Sequence, residues 1–300
     1  MTETRWLNCR LADIAEKLEE AQAVSVPVIS RLLHKHHYRL RVNRKTVEST
    51  AGHPDRNQQF EYLRQQRDEH QAGGQPTLSI DTKKKELIGN FKNAGRSWGK
   101  RSEAVNVHDF PNDALGRAVP YGIYDLQRNR GSVYVGQSAD TPEFAVDNLV
   151  RWCETELPRF YPHATQLFLE ADSGGSNGAR CRHWKQQLQE KIADRFGLTV
   201  TVAHYPTGCS KWNPIEHRLF SEISKTWAGC PLRSYDLLLK YLGETKTQTG
   251  LAVQAELVSQ AYAKGIKVSD AAMASLNLQV HSICPQWNYT IAPRSQPSTI

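Results

Sequence analysis

Gln166-Leu167-Phe168-Leu169-Glu170-Ala171-Asp172-Ser173-Gly174-Gly175-Ser176-Asn177-Gly178 is the stretch on which the fold turns. Gln166 to Ala171 has the length and apolar content of a buried strand, Asp172 stands at its end, and the run of glycines and small polar residues stops any continuation. Downstream, Ala179 to Phe196 reads as a helix, Leu198 to Ala203 as a short strand and Pro214 to Trp227 as a further helix. Upstream, Thr141 to Glu154 reads as a helix. Val119 to Tyr124 and Ser132 to Val135 read as strands flanking the turn Gln127 to Gly131. Before them, Thr77-Leu78-Ser79-Ile80-Asp81 is a second strand that ends on an acid, followed by a strand from Glu86 to Phe91. Several strands, then alternating helix and strand, predict an α/β fold: a sheet of mixed direction with helices on its faces.

The chain of 300 residues leaves room for a smaller part ahead of this one. Leu11, Ile14, Ala15 and Leu18 make one apolar stripe over residues 11 to 22. Ser25 is placed as an N-cap, Pro27 falls in a first turn, and Val28, Ile29, Leu32 and Leu33 repeat the stripe to about His36. The second helix bears Arg31 and Lys35 and leads into Arg39-Leu40-Arg41-Val42-Asn43-Arg44-Lys45; from Arg31 to Lys45 there are six Lys/Arg and no acid. An ordinary helical hairpin would satisfy the stripes. The basic tail favours an all-α helix-turn-helix DNA-binding region over residues 1–50. Residues 51–75 read as a linker with a charged helix from Arg56 to His70, residues 76–230 as the main domain, and 231–300 as an extension packed on it with a helix near Tyr235 to Leu242.

With 39% apolar and 23% charged residues, and no apolar run of membrane-spanning length, the composition is that of a globular protein. No basic stretch leads into an apolar core at the N-terminus, so the expected location is cytoplasmic. Six cysteines without a C-x-x-C pair read as reduced thiols. The net charge of +7 points to a polyanionic partner, and its distribution is sharper than its total: Thr82 to Arg101 holds seven Lys/Arg, Lys83, Lys84 and Lys85 among them, against the single acid Glu86.

Three acids sit where such a sheet exposes its working edge: Asp81 and Asp172 at strand ends and Glu216 in the first turn of a helix. Hard divalent cations prefer carboxylate oxygens, and two of them about 4 Å apart serve both ends of an in-line phosphodiester displacement. Each acid has a structural alternative. Asp81 could hydrogen-bond a turn, Asp172 could open an Asx turn, and Glu216 could complete a capping box with Asn213 as N-cap and Pro214 at the first helical position. The glycine-rich loop after Asp172 matches neither a dinucleotide fingerprint nor a P-loop, and His204, Cys209 and His217 match no common zinc spacing.

The run Tyr205 to His217, with Asn213-Pro214-Ile215-Glu216 at its end, resembles the signature of the last catalytic acid in mariner-like DDE transposases. Asp172 to Gly178 resembles the second-aspartate motif, and Ser79 to Glu86 the first. The separation of Asp172 and Glu216 is somewhat longer than is usual in that superfamily. Asp81 to Arg96, His108 to Pro111, Pro120 to Asp125 and Trp287 to Ile291 are similar to bacterial insertion-sequence transposases, so the likeness spans nearly the whole chain. The resemblance implies a ribonuclease H-like catalytic domain, catalysis and metal binding by Asp81, Asp172 and Glu216, and two Mg²⁺ or Mn²⁺ ions. It implies contacts to double-stranded DNA from Arg31, Lys35, Arg39, Arg41, Lys83, Lys84, Lys85 and Lys211, and a homodimer or higher oligomer during synapsis. Against the family the N-terminal part is short, which implies a truncated end-binding region. The alternatives are an inactive or domesticated DNA-binding derivative, and a nuclease on the same fold that cuts without joining.

Overall fold

The computed structural model describes residues 10–19, 22–39, 53–97 and 101–294, and the chain divides into two compact units, Met1–Thr50 and Ala51–Ile300. In the first unit, α1 (Leu11–Glu19) and α2 (Val26–Lys35) form on the two apolar stripes. Ser25 precedes α2 in extended conformation and Pro27 lies in its first turn, where a missing N–H leaves no helical bond unmade. Arg31, Lys35 and Arg39 are exposed. Arg41 and the rest of the basic tail to Lys45 lie outside the described residues.

The second unit begins with α3 (Arg56–Ala72). This is the charged helix expected in a linker, and it lies on the sheet instead. Its Arg67 guanidinium grips Glu170 through two bonds of 2.7 Å, and Gln59 donates to the His204 carbonyl and the Asn288 side chain. Polar residues make these anchors, so α3 shows little apolar periodicity to read.

Then follow β1 (Thr77–Thr82), β2 (Glu86–Ile88), β3 (Gly116–Asp125), β4 (Arg130–Gly136), α4 (Pro142–Thr155), α5 (Leu157–Phe160) and β5 (Gln166–Asp172). Next come α6 (Arg182–Leu188), α7 (Asp194–Phe196), β6 (Thr199–Tyr205), α8 (Ser221–Thr226) and α9 (Tyr235–Glu244). The chain ends with β7 (Ala252–Val258), α10 (Asp270–Ala274), β8 (Leu278–Val280) and β9 (Asn288–Ile291). The sheet runs β7-β4-β3-β1-β5-β6-β9-β8, with β2 paired to β3. β1, β5 and β6 are parallel, and β3 is antiparallel to both β1 and β4. The inner order β4-β3-β1-β5-β6 with these directions is the ribonuclease H-like arrangement. The C-terminal segment does more than pack on this core: β7 extends one edge in parallel with β4, and β9 extends the other antiparallel to β6.

Side chains alternate across each strand. One face turns Leu78, Ile80, Leu167, Leu169, Val200 and Val202 into a core with Phe144, Trp152, Trp184 and Leu188 of α4 and α6, each aliphatic burial contributing about 1.5–3 kcal/mol. The opposite face carries Thr77, Ser79 and Asp81 on β1 and Phe168, Glu170 and Asp172 on β5. Over it lie α3, through Tyr62 and Leu63, and the helix that ends in α8, through Ile215, Leu219 and Phe220. No helix among the described residues is long and apolar enough to cross a membrane.

Candidate active site

β1 and β5 pair through Ile80 and Ala171, so the next residues, Asp81 and Asp172, emerge side by side from strands about 4.8 Å apart. The helix bearing Glu216 reaches them because glycine lets it approach the sheet. Gly122 sits opposite Asp81 in the β1–β3 register, and a Cβ there would lie 2.5 Å from the Phe220 ring and 2.9 Å from Ile215 Cδ1. At Gly131 a Cβ would lie 2.4 Å from Leu219.

The start of that helix is not a capping box. Asn213 is fully buried and its side chain faces the strands. Its Oδ1 accepts from the Ser79 hydroxyl, and its Nδ2 donates to Asp172 Oδ1 at 3.2 Å and to the Ile80 carbonyl at 3.4 Å. Ser79 Oγ accepts from the Ile215 N–H at 3.0 Å, so a strand residue satisfies one of the helix's free donors. Glu216 follows at the head of a π-helical turn, Glu216–Phe220, a feature frequent at functional sites. Ser79 and Asn213 therefore tie the first acid's strand, the second acid and the third acid's helix into one joint. The alternation Ser79, Asp81 along β1 was the available signal for Ser79.

The three carboxylates share one electrostatic neighbourhood. Burial pushes Asp81 up to about 8, and the charges of Asp172, Glu216 and Asp140 push the same way against the Thr82 N–H, which donates to Asp81 Oδ1 at 2.7 Å. Asp172 is raised by burial and held back by the Asn213 amide. Glu216 is raised by burial and by Asp172, and lowered by Lys83 and His217. Among the described residues no three acidic, histidine or cysteine side chains form a ready-made metal cage. The donor set nonetheless fits a hard divalent cation: all oxygen, of one sign, half-buried, and repelling when ionised, with Mg²⁺ retaining waters to complete its own octahedron.

Asp140, just after β4, is an acid the sequence reading passed over. It accepts from the Thr82 hydroxyl at 3.2 Å and lies 3.9 Å from Lys85 Nζ. With Lys84, Lys85, His108 and Arg117 it borders an open cleft of about 560 Å³ beside Asp81. Lys83, expected on DNA, is buried. Its ammonium pairs with Glu86 at 2.9 Å and lies 4.8 Å from the Trp227 ring centroid, and its side chain forms part of the wall of the same cleft. Lys84, Lys85 and Lys211 are exposed.

His204 and Cys209 are buried. His204 Nδ1 donates to the Asp172 carbonyl at 2.8 Å, and Trp184 Nε1 donates to Tyr289 Oη, which stands 3.3 Å from His204 Nε2. Burial lowers the imidazole to about 4, which keeps it neutral. The chain of bonds fixes the backbone behind Asp172 and leaves His204 no role as a ligand. His217 is exposed and bonds the Lys211 carbonyl.

The profile of the family described as the Rhodopirellula transposase DDE domain matches residues 1–293. No curated protein matches the chain. Among solved structures, the chain is similar to the Mos1 transposase paired-end complex with the left transposon end, at 17% identity over 81% of this chain and 73% of that one, TM-score 0.47. It is also similar to the Mos1 mariner paired-end complex with Mn, at 18% identity over 78% and 65%, TM-score 0.46.

Proposed function

We propose, from the premise that the chain belongs to the Rhodopirellula transposase DDE-domain family, that it cleaves DNA strands at the ends of an insertion sequence and joins them to target DNA. The observation that carries this reading is the joint described above, in which one buried Asn213 touches Asp172 and the strand of Asp81 while opening the helix of Glu216. Asp81, Asp172 and Glu216 would hold a pair of Mg²⁺ or Mn²⁺ ions. Bound there, such ions supply an activated oxygen nucleophile and neutralise the leaving oxygen.

The chain's own residues orient the reaction. Asn213 turns Asp172 toward its partners, the Thr82 N–H holds one oxygen of Asp81, and Lys83 opposes charge at Glu216, the group placed to orient or deprotonate the attacking oxygen. Lys84, Lys85 and Arg117 line the adjoining cleft and would meet backbone phosphates, as would the exposed Lys211. Arg31, Lys35, Arg39 and Arg41 would bind DNA as well, with two copies of the chain engaged at synapsis, in the cytoplasm.

Asp81→Asn and Glu216→Gln, assayed for Mg²⁺-dependent cleavage and joining of DNA carrying the element's ends, should each lose about a thousandfold or more in rate, several kcal/mol of transition-state stabilisation. Cleavage at the wild-type rate in either would overturn the three-acid assignment; cleavage without joining in the wild type would make the chain a nuclease.

A further inference from the structure

Of the five tryptophans among the described residues, Trp152, Trp184, Trp227 and Trp287 are at most 5% exposed, whereas Trp212 is 52% exposed. Trp212 ends the short turn Ser210–Trp212, next to the Asn213 that holds Asp172. The Trp212 backbone N–H donates to the Cys209 carbonyl at 2.8 Å and closes the turn, while Phe60 meets the indole in a T-shaped contact with centroids 6.2 Å apart and Lys211 Nζ lies 5.3 Å from the indole centroid. Phe60 in turn carries the Arg56 guanidinium at 5.7 Å. A large apolar ring thus stands exposed one residue from the acidic joint, with Lys211 over the indole and a second cation, Arg56, over the adjoining Phe60 ring.

Aromatic faces interleaved with cations are how proteins bind unpaired nucleic acid: bases stack on the rings, and the cations follow the phosphates and add their own attraction to the π-faces. Asp81 and Asp172 are half-buried at strand ends, so a scissile phosphate reaches them most directly on a strand that has parted from its complement. Bases freed in this way lose their stacking partners. We propose that Trp212 is a stacking platform for an unpaired nucleobase beside the scissile phosphate, with Arg56 and Lys211 meeting the neighbouring phosphates. The proposal rests on the reading of the three acids as a DNA-cleaving site.

The test uses the full chain in EDTA, where no cleavage occurs, and two duplexes of one sequence: one blunt, one with two unpaired 3′-terminal nucleotides carrying 2-aminopurine. Wild-type protein should prefer the frayed duplex and quench its 2-aminopurine by stacking. Trp212→Phe keeps a ring and should retain both properties. Trp212→Leu keeps apolar bulk without a π-face; it should bind the frayed duplex about tenfold more weakly, the loss expected for one base stack, bind the blunt duplex within twofold of wild type, and leave the fluorophore bright. Equal losses on both duplexes, or unchanged binding and quenching in Trp212→Leu, would overturn the platform and make Trp212 a general contact or a surface for another protein. Asp81→Asn separates the two readings: it should stop Mg²⁺-dependent cutting while keeping the preference for frayed DNA. If it still cuts, the acid site is wrong whatever Trp212 does; if it stops cutting and wild type shows no frayed preference, only the platform is wrong.

Discussion

Glu170 and Asp172 lie two residues apart on β5, point to the same face, and are treated in opposite ways. Glu170 is completely buried and completely answered: Arg67 bonds both its oxygens and the Tyr205 hydroxyl donates to one of them at 2.7 Å. Asp172 receives a single amide, from Asn213, and its charged neighbours Asp81 and Glu216 are of its own sign. A carboxylate kept for structure is given its counter-charge by the chain. Asp172 is surrounded by acids and one neutral amide, the setting in which a counter-charge from outside would be taken up.

The comparison breaks most visibly at Arg67. Removing the guanidinium strands a buried carboxylate, so Arg67→Ala should destabilise the fold by about 3 kcal/mol, the low end for a broken buried pair because the arginine head keeps 29% of its exposure. The denaturation midpoint in urea reads this directly. Cleavage per folded molecule should stay within a few-fold of wild type. A variant as stable as wild type would mean that Glu170 takes up a proton at no cost and that the two acids are not treated differently at all.

Much of this contrast was written in the chain in a form that local reading recovers only in part. The strands of the inner sheet, and with them the places of Asp81 and Asp172 at strand ends, were legible because the apolar runs have the period and length of buried strands; Glu216 stood out only through the resemblance of the run that ends in Asn213-Pro214-Ile215-Glu216. α3 was misplaced because its anchors are Gln59 and Arg67, polar residues whose partners Asn288, His204 and Glu170 lie more than a hundred positions away. β7 was missed because Ala252–Val258 is an edge strand with only Val258 buried, so its Gln and Glu residues hide the alternation. Lys83 was grouped with Lys84 and Lys85, and what sets it apart, its pairing with Glu86 and its place over the distant Trp227 ring, does not show in a run of like charges. Asn213 was read as a local cap; its true partners, Ser79 and Asp172, come from two other strands.

A second prediction sharpens the contrast at Asp81. Its carboxyl sits at about 8 in the fold against an ordinary 3.8, so the folded state holds that proton more tightly than the unfolded chain does. Metal-free wild type should therefore be most stable relative to an uncharged variant near pH 4 and lose stability as pH rises through about 8. Asp81→Asn, which cannot ionise, should escape that loss and melt a few degrees higher than wild type at pH 8 in EDTA, about 2 kcal/mol after relaxation of the site is allowed for, with the gap closing toward pH 4. Added Mg²⁺ should raise the wild-type midpoint and leave that of Asp81→Asn nearly still. A variant that melts lower than wild type at pH 8 in EDTA would mean that the Asp81 charge is already answered within the chain.

The smallest effect is expected at Tyr205, which touches both sides of the comparison. Its hydroxyl serves Glu170, while its backbone pairs with Asp172 across β5 and β6 and its carbonyl accepts from the Ser173 hydroxyl. Tyr205→Phe deletes the hydroxyl and keeps the ring and the backbone. Glu170 retains the two-pronged Arg67 contact, so the loss should be about 1 kcal/mol, the ordinary net value of one hydrogen bond, seen as a lower urea midpoint with an unchanged slope. The Mg²⁺ concentration for half-maximal cleavage should not move, because what that change removes is a partner of the satisfied acid and nothing that Asp172 uses. A shift in the metal requirement without a loss of stability would show that the two acids are coupled through the strand they share, and that the line between a structural and a working carboxylate on β5 has been drawn in the wrong place.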